Sequence, residues 1–184
     1  MDIRVVRTVD TTALAAFYSL YVAAFGDLAE RAAARHLLTP EEFDAEMQDP
    51  GVEKYIAFDR DRAVAISTLT DDLTSVPWIS PSFYAHRYPD HHARGAILYL
   101  GFTLVHPDYQ RSSALTRMLT AMCSRAQQVG AVVGYDICAY NNDAHDFAAA
   151  TERTMKRLAD VTVKQIDVQT YYAMTFEPSS CPDD

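Results

Sequence analysis

A chain of 184 residues and 20.6 kDa is long enough to bury a full core within one domain, and 49% hydrophobic content is ordinary for a globular protein. Sixteen basic residues against 25 acidic ones leave a net charge of -9, which argues against a nucleic-acid surface, where clustered Lys and Arg must neutralise phosphates. No apolar run approaches the roughly 20 residues of a membrane helix. The start, MDIRVVRTVD, lacks the basic and apolar blocks of a signal peptide, so the expectation is a cytoplasmic chain with no membrane partner.

Ile3 to Val9 alternates apolar and polar residues and predicts a first strand. Asp10 or Thr11 can cap the helix that follows, whose Leu14, Phe17, Tyr18, Tyr21 and Phe25 recur at helical spacing up to Gly26. A second helical patch runs from Leu28 to Leu38. Thr39-Pro40-Glu41-Glu42 is a helix start: Thr39 as N-cap, proline in the first turn, and Glu42 placed to close a capping box. Phe43 and Met47 give that helix its buried face, and Pro50-Gly51 breaks it. Glu53–Phe58 and Ala63–Leu69 read as a hairpin across the polar turn Asp59-Arg60-Asp61-Arg62.

Thr70 to Ala96 is a long connection carrying Trp78, Phe83, Tyr84 and Tyr88, three prolines and three histidines. Loops of this length tend to be lids or binding segments, and the aromatic content argues for order. Packed aromatics here suit either a lid on a cleft or a dimer interface, so both monomer and homodimer are open. His86, His91 and His92 match no metal-ligand spacing and no Cys lies near them. Cys123, Cys138 and Cys181 likewise share no such spacing and read as reduced thiols. No metal is expected.

Ile97 to Val105, read as the central strand, is apolar on both faces, as a strand covered on both sides should be. It stops at His106-Pro107. A polar turn follows, and a helix carries Leu115, Met118, Leu119, Met122, Cys123 and Ala126 on its buried stripe before Gly130. A strand that hands over through a turn to a helix N-terminus leaves backbone N–H groups free and binds anions, phosphates above all. Ala131 to Tyr140 predicts another strand, with Asp136, Cys138 and Tyr140 on one face. Asn142 or Asp143 caps a helix bearing Phe147, Thr151, Met155 and Leu158. Val161 to Phe176 is long enough for two strands joined near Ile166 to Gln169. Residues 177–184 read as a frayed tail, which leaves 1–176 as one domain.

The stretch Val105-His106-Pro107-Asp108-Tyr109-Gln110 resembles motif A of the GNAT acyltransferase superfamily, V-x-P-x-Y followed by Q/R-x-x-G-x-G/A. Ser113 and Leu115 stand at its two glycine positions. The predicted order of elements is similar to that family's over almost the whole chain. The resemblance implies an α/β fold with a mixed, mainly antiparallel sheet flanked by helices on both faces. It implies acetyl-CoA or another acyl-CoA as co-substrate, its pyrophosphate held at Gln110, Arg111, Ser112, Ser113, Ala114 and Leu115. Its pantetheine would lie along Leu104 and Val105, with Asn141 and Ala144 matching the family's N-x-x-A. The acceptor would be an amine of a small molecule or peptide, and the acidic balance suits a basic or neutral one.

Several catalytic positions of the family are changed. Ala148 stands where a tyrosine commonly protonates the leaving thiolate, and Tyr99 falls near the usual glutamate of the central strand. Tyr99, Asp136 and Tyr140 are therefore the candidate catalytic groups, with Asp136 suited to a base if partly buried. Tyr21, Phe25, Trp78, Tyr84 and His86 are candidates for the acceptor pocket. Two further readings remain open. One is a GNAT-like binding or regulatory module without turnover, to which the changed positions point. The other is transfer from an acyl carrier other than CoA.

Overall fold

A computed structural model of the chain describes residues 1–33 and 37–176. Five strands form one sheet in sequence order: β1 (Asp2–Val6), β2 (Val52–Asp59), β3 (Arg62–Thr70), β4 (Ile97–Val105) and β5 (Val132–Gly134). The first four pair antiparallel and β4 pairs with β5 in parallel. The mixed, mainly antiparallel sheet with helices on both faces is thus present, with β4 as the fourth of five strands.

The β2–β3 hairpin turns where the polar run predicts, with Arg60 at a positive φ of 55° in the turn. One face of the sheet carries α1 (Leu14–Phe25) and α2 (Pro40–Gln48), which bury Phe17, Leu20, Tyr21, Phe43 and Met47 against Ile56, Ile66, Phe102 and Leu104. The capping box of α2 forms as read: the Glu42 N–H donates to Thr39 Oγ1, and the Thr39 N–H donates to Glu42 Oε2. Asp10 caps the short 3-10 turn Thr11–Ala13 that leads into α1.

The other face is covered by α5 (Ala114–Val129), with Ala114, Met118 and Met122 against Tyr55, Ala65, Leu69 and Leu98. Gly130, at a φ of 57°, ends α5 in the left-handed conformation that glycine adopts without strain. Leu115 is not part of the buried stripe: it is 38% exposed, and Ala114 takes the inner position.

Between β3 and β4, the connecting segment folds into a 3-10 turn (Leu73–Ser75) and the helices α3 (Pro81–Arg87) and α4 (Pro89–Ala93). Leu73, Val76 and Tyr84 pack on Ile97 and Tyr99, so the segment is ordered as its aromatics suggest.

Other expectations are corrected. Among the described residues, Leu28 to Leu38 contains no α-helix. A 3-10 turn covers Gly26–Glu30, and two tyrosines of α1 hold Leu38 by its backbone, Tyr18 to its carbonyl and Tyr21 to its N–H. Residues 34–36 of that patch lie outside the described residues, as does the tail 177–184. Thr11–Glu30 is, contrary to expectation, long and apolar enough by length and composition to cross a membrane, although Leu14, Phe17, Leu20 and Tyr21 are core residues of the sheet face.

The strand expected over Ala131–Tyr140 shrinks to three residues, because β4 offers partners only to Tyr99. Chain direction then changes at Cys138 into α6 (Ala139–His145), so Asn142 and Asp143 lie inside a helix and do not cap one. Asp146 begins α7 (Phe147–Leu158) instead. Val161 to Phe176 forms neither expected strand. Its Val168, Tyr171, Tyr172, Met174 and Phe176 are exposed. Alternating apolar residues make a strand only where a sheet edge receives them, and β5 presents just three residues.

Candidate functional site

The site is built where β4 leaves β5. Leu69 faces Leu100 and Ser67 faces Thr103, so three steps along β4 oppose two along β3: β4 carries a bulge at Gly101-Phe102. Side chains replace the missing ladder bonds. The Phe102 N–H donates to Thr68 Oγ1 at 3.2 Å, and Ser67 Oγ donates to the Phe102 carbonyl at 3.0 Å. Glycine is required at the bulge, since a Cβ on residue 101 would stand 2.6 Å from Thr68 Oγ1.

Pairing with β5 ends at Tyr99–Gly134, so the outer edge of β4 beyond Tyr99 has no strand beside it among the described residues. His106 N–H donates to Val64 O at 2.8 Å. Alternation along an antiparallel pair then turns the backbone groups of Val105 and Thr103 toward the open side, and those of Leu104 toward Ile66. The open groups expected at Leu104-Val105 are therefore those of Val105 and its neighbour Thr103.

At the apex of this opening lies an aromatic and acidic cluster. The buried Tyr99 hydroxyl donates to Asp136 Oδ1 at 2.7 Å. The Tyr84 ring stands edge-on to Tyr99 at 6.1 Å. Burial, followed by the Asp136 carboxylate and its hydrogen bond, pushes the Tyr99 phenol far above its ordinary value, while a hydrogen bond from Trp78 acts the other way. Tyr84 is also raised, by burial first and by Asp136 second. A Cβ on Gly134 would fall 2.8 Å from Tyr84 Cε1 and 2.9 Å from Tyr99 Cδ2, so the pair fits only above a glycine. Sequence reading names Tyr99, Asp136, Trp78 and Tyr84 separately, and the fold gathers them. Asp136 is exposed rather than partly buried, which corrects the burial expected of a base.

At the other end of the opening, the 3-10 turn Pro107–Tyr109 leads through Gln110 to Ser113 into α5. Tyr109 anchors the turn by donating to Asp59 Oδ2 at 2.9 Å. In the first turn of α5, Ala114 N–H donates to Ser112 Oγ and Arg117 N–H to Ser113 O. Helix geometry leaves the N–H groups of Leu115 and Thr116 facing out of the helix end. Gln110, Arg111 and Ser113 are exposed around them, and the Ser113 hydroxyl makes no capping bond. This is a polar, N–H-rich helix terminus with a cationic side chain beside it, which fits a pyrophosphate.

The remaining candidates are scattered. Tyr140 lies on α6, not on a strand face with Asp136, and its hydroxyl accepts from Arg31 Nη1, with the guanidinium also over its ring. Asn141 lies inside α6, and Ala148 is exposed on α7. Tyr21 is buried among Phe25, Phe43 and Phe102. His86 is exposed, Trp78 is 51% exposed, and no metal-binding group of side chains exists among the described residues.

Sequence reading passes over four residues at the opening: Gly101, Gly134, Thr68 and Glu46. A glycine inside an apolar strand is itself a bulge signal, so Gly101 was findable. Glu46, on α2, was not, because nothing local ties it to β4.

No family model matches the chain, and no curated protein does. Solved structures do resemble it. An aminoglycoside acetyltransferase from an uncultured soil metagenomic sample, in complex with sisomicin, aligns with a TM-score of 0.54 at 16% identity, over 95% of this chain and 96% of that one. A putative acetyltransferase from Agrobacterium tumefaciens str. C58 aligns at 0.55 and 15% identity, over 92% and 100%. Ribosomal-protein-alanine N-acetyltransferase from Brucella melitensis biovar Abortus 2308 aligns at 0.52 and 13%, over 92% and 98%. The chain therefore has the fold of these N-acetyltransferases, the fold that the motif A resemblance implies.

Proposed function

We propose that the chain is an acyl-CoA-dependent N-acyltransferase acting on an amine of a small molecule or peptide. The observation that carries this is the parting of β4 from β5 after Tyr99. Beyond Tyr99 one edge of β4 has no strand beside it among the described residues, and it leads to the N-terminus of α5; these are the two walls of the slot assigned to the cofactor. An acyl-CoA brings an acyl group already activated as a thioester. The Leu115 and Thr116 N–H groups, the Ser113 hydroxyl and Arg111 would hold its pyrophosphate, by direct hydrogen bonding and by the helix dipole. Val105 and Thr103 offer backbone groups to the amides of the pantetheine arm. The Tyr99–Asp136 pair closes the apex of the opening.

Calorimetric titration with acetyl-CoA and with longer acyl-CoAs tests the reading. Absence of binding by any of them would overturn it. The exposed Ala148, where a proton-donating tyrosine is usual in the resembling family, favours the second reading, a binding module without turnover. Acetyl-CoA binding without acyl transfer to any amine would decide for that module.

Ser113→Asp places a negative charge at the helix terminus. It is expected to weaken acetyl-CoA binding at least ~10-fold, about 1.4 kcal/mol, and unchanged affinity in calorimetry would contradict the placement. Leu115→Gly is expected to leave that affinity unchanged or raise it, because the side chain is exposed in the first turn of α5 and its loss frees the backbone for the phosphates. The same change should lower stability by about 1 kcal/mol through helix propensity. Affinity lost while the protein stays folded would show that the leucine contributes to the site.

A further inference from the structure

A polar strip crosses the α2 side of the sheet, and no part of the reading above uses it. Lys54 on β2 is paired with Thr68 on β3, and Thr68 reaches the bulge of β4. Above the strip lies Glu46, on the face of α2 that also sends Phe43 and Met47 into the core. Its Oε1 stands 3.4 Å from where a Cβ on Gly101 would be, so the carboxylate rests against the bulge itself. Residues 97, 99 and 101 share one face of β4, which puts Glu46 on the same side as Tyr99, at the mouth of the opening. Glu46 is half-buried, neither sealed in the core nor fully in solvent.

We propose that Glu46 holds the acceptor amine over the β4 bulge and takes its first proton, so that the acceptor arrives as an ammonium cation. This rests on the acyltransferase reading. An ammonium acceptor gives one proton to the Glu46 carboxylate, which passes it to solvent, and becomes the neutral nucleophile. The nitrogen then forms the N–C bond while the thioester C–S bond breaks with its electron pair on sulfur. The second proton, released from nitrogen, ends on that sulfur as the thiol. Gly101 supports the assignment from the other side, because the absent side chain is what leaves room between Glu46 and the strand. The net charge of -9 would speed the approach of a cationic acceptor. Among the described residues, Lys54 is the charged group shown to act on Glu46, and Asp49 and Arg7 act on that same lysine. Lys54 and Glu46 attract one another, which steadies the carboxylate over the strip.

The test compares wild type with Glu46→Gln. Calorimetry without acyl-CoA uses three amine probes: sisomicin, spermidine and a hexapeptide beginning with alanine. A separate titration uses acetyl-CoA. Glu46→Gln is expected to bind acetyl-CoA as wild type does, to bind its preferred amine at least ~10-fold more weakly, and to lose about 100-fold or more in kcat/KM. It should also lose the acid limb of the pH profile. Undiminished amine affinity in the variant would overturn the proposal, and so would failure of all three probes to bind wild type. Loss of acetyl-CoA and amine binding together, with a lowered melting temperature, would assign Glu46 a purely structural role. If Glu46→Gln does not fold, the same measurements on Glu46→Asp decide. Wild type that binds an amine through Glu46 but no acyl-CoA would instead sink the acyltransferase reading alone.

Discussion

Gly101→Ala is expected to lower stability by about 2–3 kcal/mol and to weaken acetyl-CoA binding with it. The added Cβ would stand 2.6 Å from Thr68 Oγ1, closer than real contacts allow. Thr68 has no easy retreat. It is β-branched, buried, and its hydroxyl accepts the Phe102 N–H at 3.2 Å. Either the bulge flattens, which realigns the open edge of β4 beside the slot, or Thr68 turns away and leaves a buried N–H without an acceptor. The cost of that orphan is about 1–3 kcal/mol. Adding Thr68→Ala removes the clash and retains only the hydrogen-bond loss. The double variant should therefore be more stable than Gly101→Ala alone, a non-additive pair as expected of touching residues. Urea unfolding of the four proteins measures this. An unchanged midpoint for Gly101→Ala would mean that the bulge is not held by the glycine.

What was legible in the sequence was what local chemistry decides. Thr39-Pro40-Glu41-Glu42 needs no partner beyond its own first turn to start a helix, and the capping box forms there. Asp59-Arg60-Asp61-Arg62 turns a hairpin because two apolar runs flank it. Ile97–Val105 is apolar on both faces, and helices or helical segments cover both. The misses share a different cause. Val161 to Phe176 has the alternation of strands, yet a strand exists only if an edge accepts it, and three residues of β5 do not make one. Asp136 and Tyr140 share a face only while Ala131–Tyr140 is taken as one strand. Once β5 stops at Gly134 they separate, Asp136 to Tyr99 and Tyr140 to Arg31.

The site was half visible for the same reason. The turn from Gln110 to Leu115 is a local motif and could be read directly. Tyr99 meets Asp136 across 37 residues of chain, and Trp78 and Tyr84 join them only because the segment between β3 and β4 folds back on the end of β4. Glu46 comes from an element with no sequence link to the slot. A helix that crosses a sheet can deliver a side chain to any strand beneath it, and spacing along the chain does not say which.

Lys54 sets the expected dependence of stability on pH. Its side chain is 0% exposed, and its Nζ donates to the carbonyls of Arg7 at 2.7 Å and Asp49 at 2.6 Å. Burial lowers its pKa from 10.5 to about 8; the Asp49 and Glu46 carboxylates oppose the shift and Arg7 adds to it. Below about pH 8 the lysine is charged in both folded and unfolded chains, and the folded state bears the cost of burying that charge. As pH rises the folded protein releases the proton first, while the unfolded chain keeps it until about pH 10.5. The unfolded state then binds more protons, so stability rises with pH through this window, by roughly 3 kcal/mol in all and about 1 kcal/mol between about pH 7 and 9. Buried Tyr55 and Tyr99, both raised chiefly by burial, act in the opposite sense above about pH 10, where the folded state retains phenol protons that the unfolded chain loses. Urea unfolding across this range should therefore show a maximum on the alkaline side of neutrality. Lys54→Met strands two carbonyls and lowers stability at every pH, so the quantity to compare is the slope. A Lys54→Met slope between about pH 7 and 9 equal to that of wild type would show that the buried lysine is not the group that titrates.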